Sequence, residues 1–244
     1  MKLSILSLYP DPLMAFLKRG VIGRAINDGI IDVTATDLRT FADPPHHKVD
    51  DYPFSNRKGM LLRADILKRG MDALATNKSI TWIMPDPAGV AFDHKIAKSL
   101  GTSAQLGFIS PAYEGVDARI FDMVNIQRFR TCDVVVPNGD TPIMLMIEAI
   151  VRYLPGVLGA ADCVEDDSIL SGLLEAPQFC APRSIDQMGV PEVLLSGHHQ
   201  EIDAWKLKQS LRRTLYVRPD LINQFSFSKT LVKIIDQIIT EDTQ

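Results

Sequence analysis

The sequence predicts an α/β protein with a mainly parallel sheet covered on both faces, followed by a smaller helical region. Three observations carry this. Five short apolar or β-branched runs, at residues 4–8, 31–35, 80–84, 106–109 and 133–136, are separated by segments of helical length. That alternation is the pattern of parallel strands joined by crossover helices. Beyond residue 158 the strand-like runs stop, and two helical patterns close the chain.

The elements follow in order. MKLSILSLYPDP begins with an apolar run too short for a signal-peptide core or a membrane span, and Pro10 and Pro12 break it, so it suits a first buried strand. Residues 12–28, 61–75 and 93–100 read as helices between the strands. Thr141 as N-cap and Pro142 at the first helical position open a helix that runs to Leu154, where Pro155 and Gly156 stop it. It is apolar nearly all round and should be buried. Residues 159–190 are rich in acids, Gly, Pro and small side chains, which suits a partly mobile interdomain linker. Residues 198–216 form a helical pattern with Ala204, Leu207, Leu211 and Leu215 on one stripe and Lys206, Lys208, Arg212 and Arg213 elsewhere. A last helix covers residues 228–239. The expected organisation is an α/β domain over 1–158, a linker over 159–190 and a helical domain over 191–244.

Composition narrows the function classes. A chain of 244 residues, 46% hydrophobic, can bury a sizeable core. A net charge of -4 gives no bulk positive field, so any nucleic-acid binding must rest on local charge. Between Glu201 and Arg218 there are five basic residues against two acidic ones, which marks that helix as either a phosphate-contacting surface or an ordinary solvated face. Cys132, Cys163 and Cys180 are an odd number without paired metal-type spacing, so neither a disulfide framework nor a zinc site is indicated, and reduced thiols suit a cytoplasmic protein. No metal site is predicted; His198 and His199 lack a visible third ligand.

Residues 111–117, PAYEGVD, follow the apolar run 106–109 directly, as a ligand loop follows a buried strand in α/β proteins. Glu114 and Asp117 stand three apart in this loop, where a bound ligand could meet their carboxylates. They could equally belong to a solvated turn in which Gly115 supplies an unusual dihedral.

Several strings, in order and spacing, resemble the bacterial tRNA (guanine-N1)-methyltransferase family, TrmD. They are SLYPD near the start, GVIGRA at 20–25, VDDYP at 49–53, YEGVD at 113–117, RYLPGVLG at 152–159, EDDS at 165–168, and VLLSGHHQEI with WKLKQSL between 193 and 211. The resemblance implies a SPOUT-type methyltransferase domain with a deep trefoil knot, a small helical C-terminal domain and a homodimer. It implies transfer of a methyl group from S-adenosylmethionine to N1 of the guanine 3′ of the anticodon in tRNA, in the cytoplasm and without a membrane. The family's use of Mg²⁺ with its RNA makes that ion a further expectation.

Carried over by position, the resemblance implies that Asp167 takes the N1 proton, Arg152 supports the charge moving onto O6, and Glu114 assists. Pro111, Tyr113, Thr131, Cys132, Asp133, Val134, Val135, Val136, Gly139 and Pro142 would hold the methyl donor. Asp117, Ser168, Lys206, Lys208, Arg212 and Arg213 would contact RNA. Other roles remain open: Asp167 and Ser168 can cap a short helix through 170–174, and Arg152 stands four residues after Glu148, the spacing of an ordinary helix ion pair.

The strings around the expected pocket depart from the family pattern. Pro111-Ala112 stands for Gly-Arg, SNRKGM for GGGPGM, DPAG for SPQG, RTCDVVVPNG for SIGDYVLSGG, and FCAP for YTRP at 179–182. Asn138 suits a left-handed position better than other non-glycine residues, while Cys132 adds a Cβ and a sulfur to the loop. Three functions follow: an active enzyme with a remodelled pocket, an inactive RNA-binding paralogue, or a methyltransferase with a shifted RNA target.

Overall fold

The structure, a computed structural model, describes residues 1–54, 58–75, 80–158, 168, 172–222 and 229–242. The chain divides into two compact units, Met1–Gly159 and Ala160–Gln244. Unit one runs β1 Lys2–Ser7, α1 Pro10–Leu17, α2 Gly20–Asn27, β2 Asp32–Asp37, β3 Asp50–Asp51, β4 Leu61–Leu62, α3 Ala64–Leu74, β5 Thr81–Ala91, α4 His94–Leu100, β6 Gln105–Ile109, α5 Ile120–Met123, β7 Ile126–Arg130 and α6 Asp140–Val151. The main sheet has the order β2-β1-β6-β5-β7, and every pairing in it is parallel.

Central strands β1 and β6 are apolar and buried on both faces, as expected where helices cover a parallel sheet. Alternation sends Leu3, Ile5 and Phe108 to one side, against Leu13 and Leu17 of α1, Ile22 of α2 and Ile143, Met146, Ile147 and Ile150 of α6. Leu6, Trp82 and Ile109 meet Ile66, Leu67 and Met71 of α3 on the other.

Three sequence expectations shift. The edge strand is Ile126–Arg130 and not 133–136: Phe129 is buried while Gln127 and Arg128 are exposed, so an alternating polar edge strand takes the ladder and the valine run becomes a loop. Residues 12–28 are two helices, because α1 is capped at Lys18 and Gly20 adopts φ +57. Helix α6 begins at Asp140 with Gly139 as its N-cap, and after Val151 the chain tightens into i→i+3 turns, with the Tyr153 and Leu154 N–H groups donating to Ile150 and Val151.

Unit two contains a two-stranded hairpin, Ser184–Ile185 with Met188–Gly189, whose central residues Asp186 and Gln187 both have positive φ, as a type I′ turn requires. Helices Glu192–Leu195, His199–Val217, Pro219–Ile222 and Lys229–Asp242 follow. Leu173, Leu211 and Ile238 form the core of this unit. The predicted stripe holds in its second half only: Leu211 is fully buried and Leu215 packs on the core, whereas Ala204 and Leu207 are exposed. Thr214 takes the next buried place, its hydroxyl donating to the Ser210 carbonyl and accepting from the Leu174 N–H at 2.8 Å. No helix among the described residues is long and apolar enough to cross a membrane.

Candidate active site

A cleft of about 450 Å³ opens beyond the carboxyl ends of β5, β6 and β7 and beside the start of α6. That is where open parallel sheets accommodate ligands, and the volume lies in the range of about 300–1,000 Å³ of small-molecule sites. Two loops form most of it. One, after β6, contributes Pro111, Ala112, Tyr113, Glu114 and Gly115; the other, after β7, contributes Thr131, Cys132, Val134, Val135, Val136, Pro137, Asn138 and Gly139. Pro142 lines it from α6, and Pro85, Asp86 and Pro87 line it from the bulge within β5.

Of the ten residues expected to hold a methyl donor, nine line this cleft. The exception is Asp133, whose carboxylate turns to Arg130 in an ion pair. The two loops are tied together: the Gly139 N–H donates to the Pro111 carbonyl at 2.7 Å, and Ala112 bridges to Asn138. Asn138 does not take a left-handed conformation; its side-chain oxygen accepts from the Asp140 N–H at 3.1 Å. Tyr113 is the left-handed residue instead, at φ 59, and burial, with Asp50 nearby, pushes its phenol above the ordinary range. Sparsely populated backbone conformations of this kind concentrate at binding sites.

Glu114 lines the cleft and lies over Gly59, where a Cβ would stand 2.3 Å from Glu114 Cγ. Its N–H donates to the Met60 carbonyl, and residues 115–117 continue alongside Leu62. Gly115, at φ +114, supplies the unusual dihedral the turn needs. Asp117 does not line the cleft. It accepts from the Arg119 N–H and pairs with its guanidinium, 2.5 Å at the closest, and that contact holds its carboxyl below the usual range.

Arg152 does not reach this cleft. It caps the far end of α6 and lines a second cavity of about 390 Å³ with Glu148, Phe16, Arg19 and Val21. At about 1.5 Å per residue, the 12 residues of α6 separate its ends by about 18 Å. Asp167 lies outside the described residues. Ser168 accepts from the Glu175 N–H at 2.9 Å.

The basic helix is partly engaged within unit two. Lys208 pairs with Glu241 at 2.6 Å, and Arg212 with Glu241 and Asp242 at 2.8 and 3.0 Å. Arg213 reaches the Glu175 carbonyl at 3.4 Å and stays exposed; Lys206 is exposed and forms no ion pair among the described residues.

Sequence reasoning passed over Asp86 and Asp140. Asp86 accepts from the Ala88 N–H at 2.8 Å and from Arg128 at 3.2 Å. Asp140 Oδ1 accepts from the hydroxyls of Ser7 at 2.8 Å and Ser110 at 2.6 Å. An acid in the first turn after a glycine at a loop end was the available signal for Asp140.

The model of the tRNA (Guanine-1)-methyltransferase TrmD family matches residues 1–224. The chain is 40% identical to the tRNA (guanine-N(1)-)-methyltransferase of Limosilactobacillus fermentum, covering 99% of this chain and 96% of that protein. It is 39% identical to that of Leuconostoc mesenteroides subsp. mesenteroides over 99% of this chain and the whole of the relative. Against that of Staphylococcus carnosus the identity is 38%, over 97% of this chain and 96% of the relative. With the match spanning both units and nearly the full length of these relatives, the chain belongs to the tRNA (guanine-N1)-methyltransferase family, TrmD.

Proposed function

We propose that the protein methylates N1 of guanine in tRNA, at the position 3′ of the anticodon, with S-adenosylmethionine as donor. One observation supports the reading in a chain of this family: nine of the ten positions carried over from the resemblance as donor contacts line one open cleft. The residues fit such a donor. Main-chain groups of 111–115 and 131–139 surround the space, glycine at 139 keeps one wall thin, and the carboxylates of Asp86 and Glu114 suit a ligand bearing an ammonium and a sulfonium. The donor supplies a methyl carbon made electrophilic by its positive sulfur.

Guanine N1 carries a proton at neutral pH, so it needs a base to attack. Asp167 is the proposed acceptor of that proton, as the N1 lone pair forms the new C–N bond and the sulfur takes the electrons of the broken C–S bond. Arg152 balances charge on O6 during the step. Since Arg152 and the cleft stand at opposite ends of α6, the reading favours a homodimer in which one copy's cleft meets the other's Arg152. The lacing of Pro111 and Ala112 to Asn138 and Gly139 is compatible with a SPOUT-type knot, and the helices of 191–244 would serve as the RNA-binding domain. Within His199–Val217, Lys206 and Arg213 are the two exposed cations that form no ion pair among the described residues. No group of three or more His, Cys, Asp or Glu converges among the described residues, so they offer no carboxylate cage for Mg²⁺. Acting on tRNA, the enzyme would work in the cytoplasm.

The test is incubation of an unmodified tRNA transcript bearing guanine after the anticodon with methyl-labelled donor, followed by nuclease digestion. Labelled 1-methylguanosine at that position is the expected product. Absence of label from a folded protein overturns the reading and favours the RNA-binding paralogue; label on another nucleotide favours a shifted target.

A further inference from the structure

We infer that Asp140 is a positioning residue: its carboxylate, by accepting from Ser7 and Ser110, fixes the separation of the two loops that bound the cleft. The inference rests on the reading of that cleft as the donor site.

Ser7 ends β1, and Ser110 follows β6; their residues are 2% and 4% exposed. Buried hydroxyls need partners, and both donate to the same oxygen of Asp140. Ser7 Oγ also accepts from the Tyr9 N–H at 2.9 Å, and the Ser110 N–H donates to the Leu6 carbonyl at 2.8 Å. Two adjacent strands of the sheet thus hold one carboxylate. That carboxylate is the first residue of α6, between Gly139 and Pro142, both of which line the cleft. Ser110 immediately precedes Pro111, the start of the opposite wall. The β6 loop and the β7 loop therefore meet at one oxygen atom. Side-chain bonds of this kind hold a backbone to the tolerance that binding and group transfer require.

The acceptor geometry matters here, and the negative charge does not. Asparagine keeps an oxygen in the same place, so Asp140→Asn should preserve the node, while Asp140→Ala leaves two buried hydroxyls without their acceptor.

The experiment has two arms, run on the full-length protein. In the first, hydrogen exchange without ligand follows the Gly139 and Ser110 amides. Asp140→Ala is expected to accelerate Gly139 exchange while amides of the central strands β1 and β6 stay protected, and Asp140→Asn to match the wild type. In the second arm, steady-state methyl transfer is measured. Asp140→Ala should raise the KM for S-adenosylmethionine by about 10- to 100-fold, with kcat at saturating donor and the KM for tRNA little changed. Should Asp140→Ala fail to fold, the Ser7→Ala/Ser110→Ala double variant removes the donors instead and should give the same split. Unchanged Gly139 exchange overturns the node whatever the donor does. Faster exchange with an unchanged KM overturns the positioning role, and so does Asp140→Asn behaving as alanine. A wild type that binds no donor overturns the reading of the cleft, and the exchange arm still decides the node.

Discussion

Gly139 and Pro111 are in direct contact across the cleft: the Gly139 N–H donates to the Pro111 carbonyl at 2.7 Å, and a Cβ on residue 139 would stand 2.4 Å from Pro111 Cδ. Gly139 has φ -82, so its absence of side chain serves approach and not backbone conformation. Gly139→Ala should push the two walls apart and weaken donor binding at least about tenfold. Titration calorimetry on the variant checks this, and an unchanged affinity would show that the contact is dispensable.

Cys132 is exposed and lines the cleft, with Thr131 Oγ1 3.7 Å from its sulfur. In a Cys163→Ser/Cys180→Ser background, alkylation of Cys132 should block S-adenosylmethionine binding, and bound donor should slow the alkylation. Equal labelling rates with and without saturating donor would place the ligand elsewhere.

Glu114 in the cleft and Arg152 in the second cavity belong to one active site only if two copies assemble. Glu114→Ala and Arg152→Ala should each be nearly inactive, and their mixture should recover about a quarter of wild-type activity through mixed dimers carrying one intact site. No recovery after subunit exchange would mean that both residues act from the same chain.

The basic helix separates into two pairs. Lys206→Glu with Arg213→Glu should abolish tRNA binding at moderate salt without loss of stability. Arg212→Glu should destabilise unit two instead, because it sets a third carboxylate against Glu241 and Asp242. Filter binding and thermal melting distinguish these outcomes, and a double variant with wild-type affinity would remove this surface from RNA recognition.

Glu241 is held below the usual carboxylate range, chiefly by its hydrogen bond to Lys208 and then by Arg212. A carboxyl depressed in the folded state stabilises above its unfolded pKa of about 4.3, and that contribution disappears as pH falls through the folded value. Acidification below the ordinary carboxylate range should therefore remove the small stabilisation that this pairing lends unit two, and Glu241→Gln should flatten this part of the profile. Superimposable profiles for the two proteins would contradict the pairing.

Much of unit one was legible in the sequence because its strands are apolar on both faces. Residues 4–8, 31–35, 80–84 and 106–109 each fall on an observed strand, shifted by one to several residues. The fifth was missed for a physical reason: Val134, Val135 and Val136 look like a strand, but they are exposed wall residues, while Ile126–Arg130 hides a single buried Phe129 among charges. The α1–α2 break was written in Gly20, whose left-handed φ no periodicity reveals. At the site, the resemblance and not spacing supplied the ten positions of which nine line the cleft; read alone, residues 133–136 pass for a strand. Tertiary partners were not legible. That Asp117 belongs to Arg119, that Lys208 and Arg212 belong to Glu241 and Asp242, and that Asp140 gathers Ser7 and Ser110 all depend on contacts local or distant that spacing does not encode.

The most direct measurement is calorimetric titration of the wild-type protein with S-adenosylmethionine, repeated with Cys132 alkylated in the single-cysteine background. Saturable binding of one donor per chain, eliminated by the alkylation, is the predicted result. Absence of heat at millimolar donor, or binding indifferent to a blocked Cys132, would contradict the assignment of the cleft.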